Sequence, residues 1–304
     1  MDWPLVIAFG LCVGILVGTT GIGGGSLMTP LLILVLGTAP TTAIGTDLAY
    51  AAVTKTVGGW RHWRRGSVDM PVALWLAVGS IPGALGGVQV LRVLEHALGG
   101  DQFDTVMLVL VGAALLVTGL AVLARALFLT VDEHHSVEFD LRHKVAAILI
   151  GVSVGFVLGL TSAGSGALIA VGLILVFRLK PLRVVGTDVF HAAMLLWVAA
   201  FAHFLSGNVD LALAGNILIG SIPGVWIGSN LAFRLPENAL RPTLAIVLLA
   251  AGLALLNKAG ADFPIALVFV VPLGVAVVAA TLHRVRSRAE RTRARLHATA
   301  PEHA

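Results

Sequence analysis

Charge is scarce in this sequence. Asp, Glu, Lys and Arg make up 12% of its 304 residues and 58% are hydrophobic, whereas soluble domains carry about 25% charged residues. That deficit excludes a water-soluble globule. Cysteine is nearly absent as well. Cys12 stands alone, so no disulfide scaffold forms within the chain and the redox compartment is left open. The 35 glycines follow no triplet period, which excludes collagen, and the apolar content excludes disorder. No P-loop or dinucleotide fingerprint occurs, so transport driven by ATP within this chain is not expected. The histidines follow no ligand spacing, so neither metal nor cofactor is expected.

What charge there is has a pattern. The formal net charge is +4, and the tail after residue 283, with Arg284, Arg286, Arg288, Arg291, Arg293 and Arg295 against Glu290 and Glu302, carries all of it. A short basic tail behind an apolar run reads as a cytoplasmic anchor beside anionic lipid, not as a nucleic-acid face.

Crossing a bilayer takes about 20 apolar residues. Runs of that kind at 42–60, 70–92, 103–127, 185–206, 210–233, 241–256 and 263–283 predict seven full spans. Two regions differ. Residues 3–18 and 144–159 are each followed by a glycine-rich break and then a short apolar piece, 26–36 and 167–177. A helix of eleven residues rises only about 17 Å, so each region is expected to be a re-entrant hairpin or a broken helix pair.

The two regions belong to an internal repeat. At an offset of 141 residues the halves align without a gap from Gly14/Gly155 to Gly87/Gly228, through Gly45-Thr46-Asp47/Gly186-Thr187-Asp188, His62/His203 and Gly79–Gly83/Gly220–Gly224. Basic residues follow the matched span in the first half (Arg61, Arg64, Arg65) but precede it in the second (Arg178, Lys180, Arg183). Because Lys and Arg collect on the cytoplasmic side, the halves are expected to lie upside down relative to each other, with the N-terminus outside and the C-terminus cytoplasmic. The expected fold is an all-α polytopic membrane protein with two inverted repeats. Its boundaries are a first repeat at 1–127, a cytoplasmic polar linker at 128–143, a second repeat at 144–256, one extra helix at 257–283 and a basic tail at 284–304.

Inverted repeats place substrate near the midplane, where interrupted helices aim free N–H groups and positive dipole ends at an anion. Thr20, Gly23, Gly24, Gly25 and Ser26 in the first break, and Thr161, Ser162, Gly164, Ser165 and Gly166 in the second, supply such donors without net charge; the bland alternative is that these glycines only permit tight turns and packing. Ionisable groups within spans are costly and mark function by default. Asp47, Asp188 and His191 are candidates for coupling, and Asp188 and His191 share a helix face; capping or a structural ion pair is the alternative. Lys55 has Leu196 as its counterpart. It either attracts an anion or snorkels toward Arg61–Arg65. The Gly-Ser-Ile-Pro-Gly segments read as close helix packing. A Gly-Ser-Gly at 164–166 with His191 or His203 could also be drawn as an intramembrane serine hydrolase, but Gly24 replaces Ser165 in the first half, so no enzyme is expected.

The sequence resembles the TauE/SafE family of membrane anion permeases. The resemblance rests on Gly23-Gly24-Gly25 followed by Pro30-Leu31-Leu32, on Ala43-Ile44-Gly45-Thr46, on Gly66-Ser67-Val68-Asp69 and Gly207-Asn208-Val209-Asp210, and on Ile-Pro-Gly with a later glycine in each half, over residues 5–283. It implies a secondary transporter for sulfite, sulfoacetate or related organosulfonates, driven by a proton or sodium gradient. Thr46 and Thr187 join the binding residues on this resemblance. Where the family often carries a small hydroxyl after Gly-Thr, this chain has Asp47 and Asp188, which implies protonation, pairing or a cation pathway there. A passive anion channel is the alternative. The expected partners are a small anion and membrane lipid; monomer and homodimer are both compatible, and nucleic acid is not expected.

Overall fold

The computed structural model of the chain describes residues 2–20, 26–128, 140–232, 237–278 and 281. All the elements are helices: α1 (Trp3–Thr20), α2 (Met28–Leu34), α3 (Pro40–Arg64), α4 (Met70–Leu98), α5 (Gly100–Phe128), α6 (Leu141–Thr161), α7 (Ser165–Leu175), α8 (Pro181–Leu205), α9 (Leu211–Ala232) and α10 (Glu237–Leu256). A π-helical turn, Asn257–Ala261, extends α10, and a short apolar helix, α11 (Ala266–Val278), follows. The linker at 129–139 and the tail lie outside the described residues.

The local chemistry at the helix ends is duplicated. Pro40 and Pro181 open α3 and α8, where a missing N–H costs nothing and the fixed φ is already helical. Both helices stop just before Gly66 and Gly207, which take left-handed φ of 67° and 76° as helix-terminating glycines do. Asp69 and Asp210 then accept from the N–H groups of Val72 (3.3 Å) and Leu213 (2.9 Å), capping α4 and α9.

Among the described residues, six helices are long and apolar enough to cross a membrane: Met70–Leu98, Gly100–Arg125, Leu141–Thr161, Pro181–Leu205, Leu211–Leu231 and Pro242–Ala261. This differs from the expected spans in two places. Residues 144–159 read as one arm of a hairpin or broken pair, but the helix begins at Leu141 behind an Asp140 cap and runs on to Thr161, and its 21 residues rise about 31 Å, enough to cross. The 42–60 region forms a helix of 25 residues, long enough to cross, but Asp47, Lys55, Arg61 and Arg64 keep it outside the apolar class. The 263–283 region is described as helical over Ala266–Val278 and at residue 281, and its residues 279, 280, 282 and 283 lie outside the described residues.

The main packing partners lie in opposite halves. α1 runs along α9 as α4 runs along α6, while α3 packs on α8 and α5 on α10. Glycine makes the first two contacts close: a Cβ on Gly155 would fall 2.2 Å from the Ser80 carbonyl oxygen, and one on Gly14 would fall 2.4 Å from that of Ser221. Larger apolar side chains cover the outside, with Trp226 71% exposed, as a surface solvated by lipid requires. The short α2 and α7 pack onto α3 and α8. Those two crossing helices carry the buried charges.

Candidate functional site

The second break is built by α6 and α7. α6 ends at Thr161, whose hydroxyl donates to the Val157 carbonyl (2.7 Å) and accepts from Ala163 N–H (3.3 Å). Ser162 follows at φ 59°, then Gly164 at φ 95°. A left-handed serine is strained by about 1–2 kcal/mol, and its side chain shows what holds it there. Ser162 Oγ donates to Asp47 Oδ2 at 2.9 Å, and Thr29 Oγ1 donates to the same oxygen at 2.6 Å. The two hydroxyl oxygens lie 2.5 Å apart. Thus α2, α3 and the α6–α7 turn converge on one buried carboxylate.

With Asp47 ionised both hydroxyls donate to Oδ2; with Asp47 protonated the carboxyl O–H donates to one hydroxyl, which donates to the other, which donates back to the carboxyl. Its other oxygen, Oδ1, is buried without a hydrogen-bond partner among the described residues, and a buried acceptor left unpaired costs about 1–3 kcal/mol. The arrangement can therefore receive and release a proton, or turn its free oxygen toward a ligand that carries one.

A second polar group sits on α3 and α8. Lys55 is 7% exposed, so it faces the bundle and does not snorkel. Its charge acts on Asp47, Asp188 and His191, and that of Arg125 acts on Asp188. Within the described residues the ion pair closer than 4 Å is Arg183–Asp69, so Lys55 acts on these groups at longer range. His191 and Asp188 share no hydrogen bond; His191 Nε2 is bonded to Ser80 Oγ of α4 at 2.8 Å, and Asp188 Oδ1 is left without a partner.

The remaining expected residues divide. Thr46 Oγ1 accepts from Asp210 N–H (3.1 Å) and Thr187 Oγ1 from Asp69 N–H (2.9 Å), so their acceptor lone pairs hold the halves together. Gly45 and Gly186 serve the same joint: a Cβ would fall 2.2 Å from the Asn208 carbonyl oxygen or 2.3 Å from that of Ser67. In each Gly-Thr-Asp tripeptide the glycine permits contact, the threonine docks, and the aspartate is left for the interior. Gly164 is fixed by its φ and by Thr118, 3.1 Å from where a Cβ would stand. Gly166 is buried in α7, and Ser26 is half-buried ahead of α2. Gly23, Gly24 and Gly25 lie outside the described residues, as do the side chains of Thr20 and Ser165. Thr29 and Ser80 are additions. Thr29 is a lone hydroxyl in a short apolar helix, and Ser80 falls inside a motif that also serves packing.

A bundle of long apolar helices with a strained break, buried carboxylates and a buried lysine is the frame of a polytopic membrane transporter. The chain belongs to the Sulfite exporter TauE/SafE family, whose model matches residues 6–255. It is 41% identical over 254 residues to the "Probable membrane transporter protein YjnA" of Bacillus subtilis (strain 168), covering 83% of this chain and 98% of that one. It is 27% identical over 257 residues to the "Probable membrane transporter protein YdhB" of the same organism, with 83% and 99% covered. A "Probable membrane transporter protein" of Xylella fastidiosa (strain Temecula1) is 26% identical over 263 residues, 85% of this chain and 96% of its own length. No solved structure gives a significant match.

Proposed function

We propose that this transporter carries small sulfur-containing anions, sulfite, sulfoacetate or other organosulfonates, across the cell membrane by alternating access coupled to protons, and that it works as an exporter. The observation that carries the reading is the Thr29–Asp47–Ser162 triangle with the buried Lys55 on the same helix. Lys55 supplies the attraction for an anion and the triangle a place for a proton. In this reading the two halves are inverted, the N-terminus is outside, and the tail is cytoplasmic. Substrate binds between the two breaks, at donors from Thr20, Ser26, Thr161, Ser162 and Ser165 and at the backbone of Gly23–Gly25, Gly164 and Gly166. Asp188 and His191 form the second coupling group.

Sulfoacetate suits the test because its sulfonate stays ionised. In proteoliposomes an imposed pH gradient is expected to drive labelled sulfoacetate accumulation. Asp47→Asn is expected to abolish that response while exchange of sulfoacetate across the membrane persists. Gradient-driven accumulation that survives in Asp47→Asn would remove this carboxyl from coupling.

A further inference from the structure

The matched ends of α3 and α8 are in different states. On α8, His203 is fully buried and Nε2 donates to the Gly159 carbonyl of α6 at 2.8 Å. That carbonyl is in the last turn of its helix, where an in-helix donor is lacking. Three residues on, Ser206 Oγ accepts from Arg92 Nε of α4 at 2.8 Å. At the matching place on α3, His62 is half-buried. Its Nδ1 is turned to Ser67 Oγ, 2.9 Å away in the following loop, not to Gly18 of α1, the counterpart of Gly159.

The same inequality recurs deeper in the bundle. Ser80 of α4 is hydrogen-bonded to His191 of α8. Their counterparts, Ser221 of α9 and Tyr50 of α3, face each other in a looser contact that leaves the Tyr50 hydroxyl short of a close hydrogen bond among the described residues. The bonds that His203 and His191 of α8 make to α6 and α4 are thus absent or longer at His62 and Tyr50 of α3. A cavity of about 250 Å³ opens at the His62 end, lined by Gly58, Arg61, His62 and Arg65. Arg64 is excluded from it, with its guanidinium over the Trp60 ring at 5.3 Å.

We propose that the α3 end is the open mouth of this state, that Arg61, His62 and Arg65 form a receiving site there for a small oxyanion or sulfonate, and that His62 and His203 are matched latches. Two guanidinium groups at a concave mouth concentrate anions and present planar donor forks to their oxygens. When this mouth shuts, His62 exchanges Ser67 for the Gly18 carbonyl, while His203 releases Gly159 and the opposite mouth opens. The inference rests on the alternating-access reading, but its test does not require flux.

The test labels thiols with a membrane-impermeant maleimide on the full chain in nanodiscs, in a Cys12→Ser background. His62→Cys is expected to react at least about tenfold faster than His203→Cys, the factor given by an opening cost of about 1.4 kcal/mol. Arg65→Cys against Ser206→Cys repeats the comparison without removing either histidine. Sulfoacetate or inorganic sulfate is expected to protect Gly58→Cys, which lines the cavity and keeps Arg61, His62 and Arg65, and Arg61→Gln/Arg65→Gln in the same background is expected to lose that protection. Equal labelling in both pairs overturns the open mouth. Protection by neither anion, or protection that survives the double substitution, overturns the receiving site. Protection by sulfate alone keeps the site and counts against the sulfonate substrates proposed above. Absent flux with unequal, protectable labelling counts against the transport reading and leaves this inference standing.

Discussion

At the scale of residues, function depends on which polar groups are committed to the scaffold and which are free. Thr46 and Thr187 look like ligands beside their aspartates, but both accept from backbone N–H groups of the opposite half. Asp47 is the buried carboxylate on which hydrogen bonds converge, because Thr29 and Ser162 reach it from two other elements. Thr29→Val removes a buried hydroxyl from this group. It is expected to cost about 1–3 kcal/mol, the range for leaving a buried polar partner unsatisfied, read as a lower unfolding midpoint in detergent together with weaker sulfoacetate flux. Lys55→Gln removes the buried cation and is expected to raise the sulfoacetate KM by about tenfold or more, equivalent to at least about 1.4 kcal/mol, while membrane insertion is unchanged. An unaltered KM would assign Lys55 to structure. That Asp47, Lys55, Ser162, Asp188 and His191 are buried polar groups was legible in the sequence, because ionisable groups and hydroxyls are rare and costly inside apolar spans. Thr29 was not legible. It is 18 residues from Asp47, and only the folding of α2 back onto α3 brings them together.

At the scale of elements, hydropathy places most helices but misjudges those whose ends are polar. α6 is longer than its apolar run because an Asp140 cap starts it in polar sequence, and α3 is less apolar than its length because it carries the interior charges. The second break was legible from glycine density, while its left-handed turn at Ser162 depends on tertiary partners; residues 21–25 of the first lie outside the described residues. The small-residue segments read as packing, and the geometry agrees: a Cβ on Gly220 would fall 1.9 Å from the Ile7 carbonyl oxygen, whereas Gly215, one turn earlier, has nothing within 4 Å. Overpacking of this kind costs about 1–3 kcal/mol. Gly220→Ala is therefore expected to lower the unfolding midpoint by separating α1 from α9, and Gly215→Ala to leave it unchanged or slightly raised. A Gly220→Ala protein as stable as the parent would contradict the close α1–α9 contact.

At the scale of the whole molecule, the repeat at offset 141 foretells partners as well as motifs. α1 on α9 repeats α4 on α6, and the Thr46–Asp210 bond repeats Thr187–Asp69. The departures from that pattern could not be read from sequence, since identical residues, His62 and His203, adopt different partners. Those departures are what a carrier caught facing one side would show, and a passive pore has no need of them. Counterflow separates the two most directly: proteoliposomes loaded with unlabelled sulfoacetate are diluted into a trace of labelled sulfoacetate, and internal label is followed with time. A carrier is expected to accumulate label transiently above its equilibrium level. Label that only rises to equilibrium, or that never enters although the protein is folded and inserted, would contradict alternating-access transport of this anion.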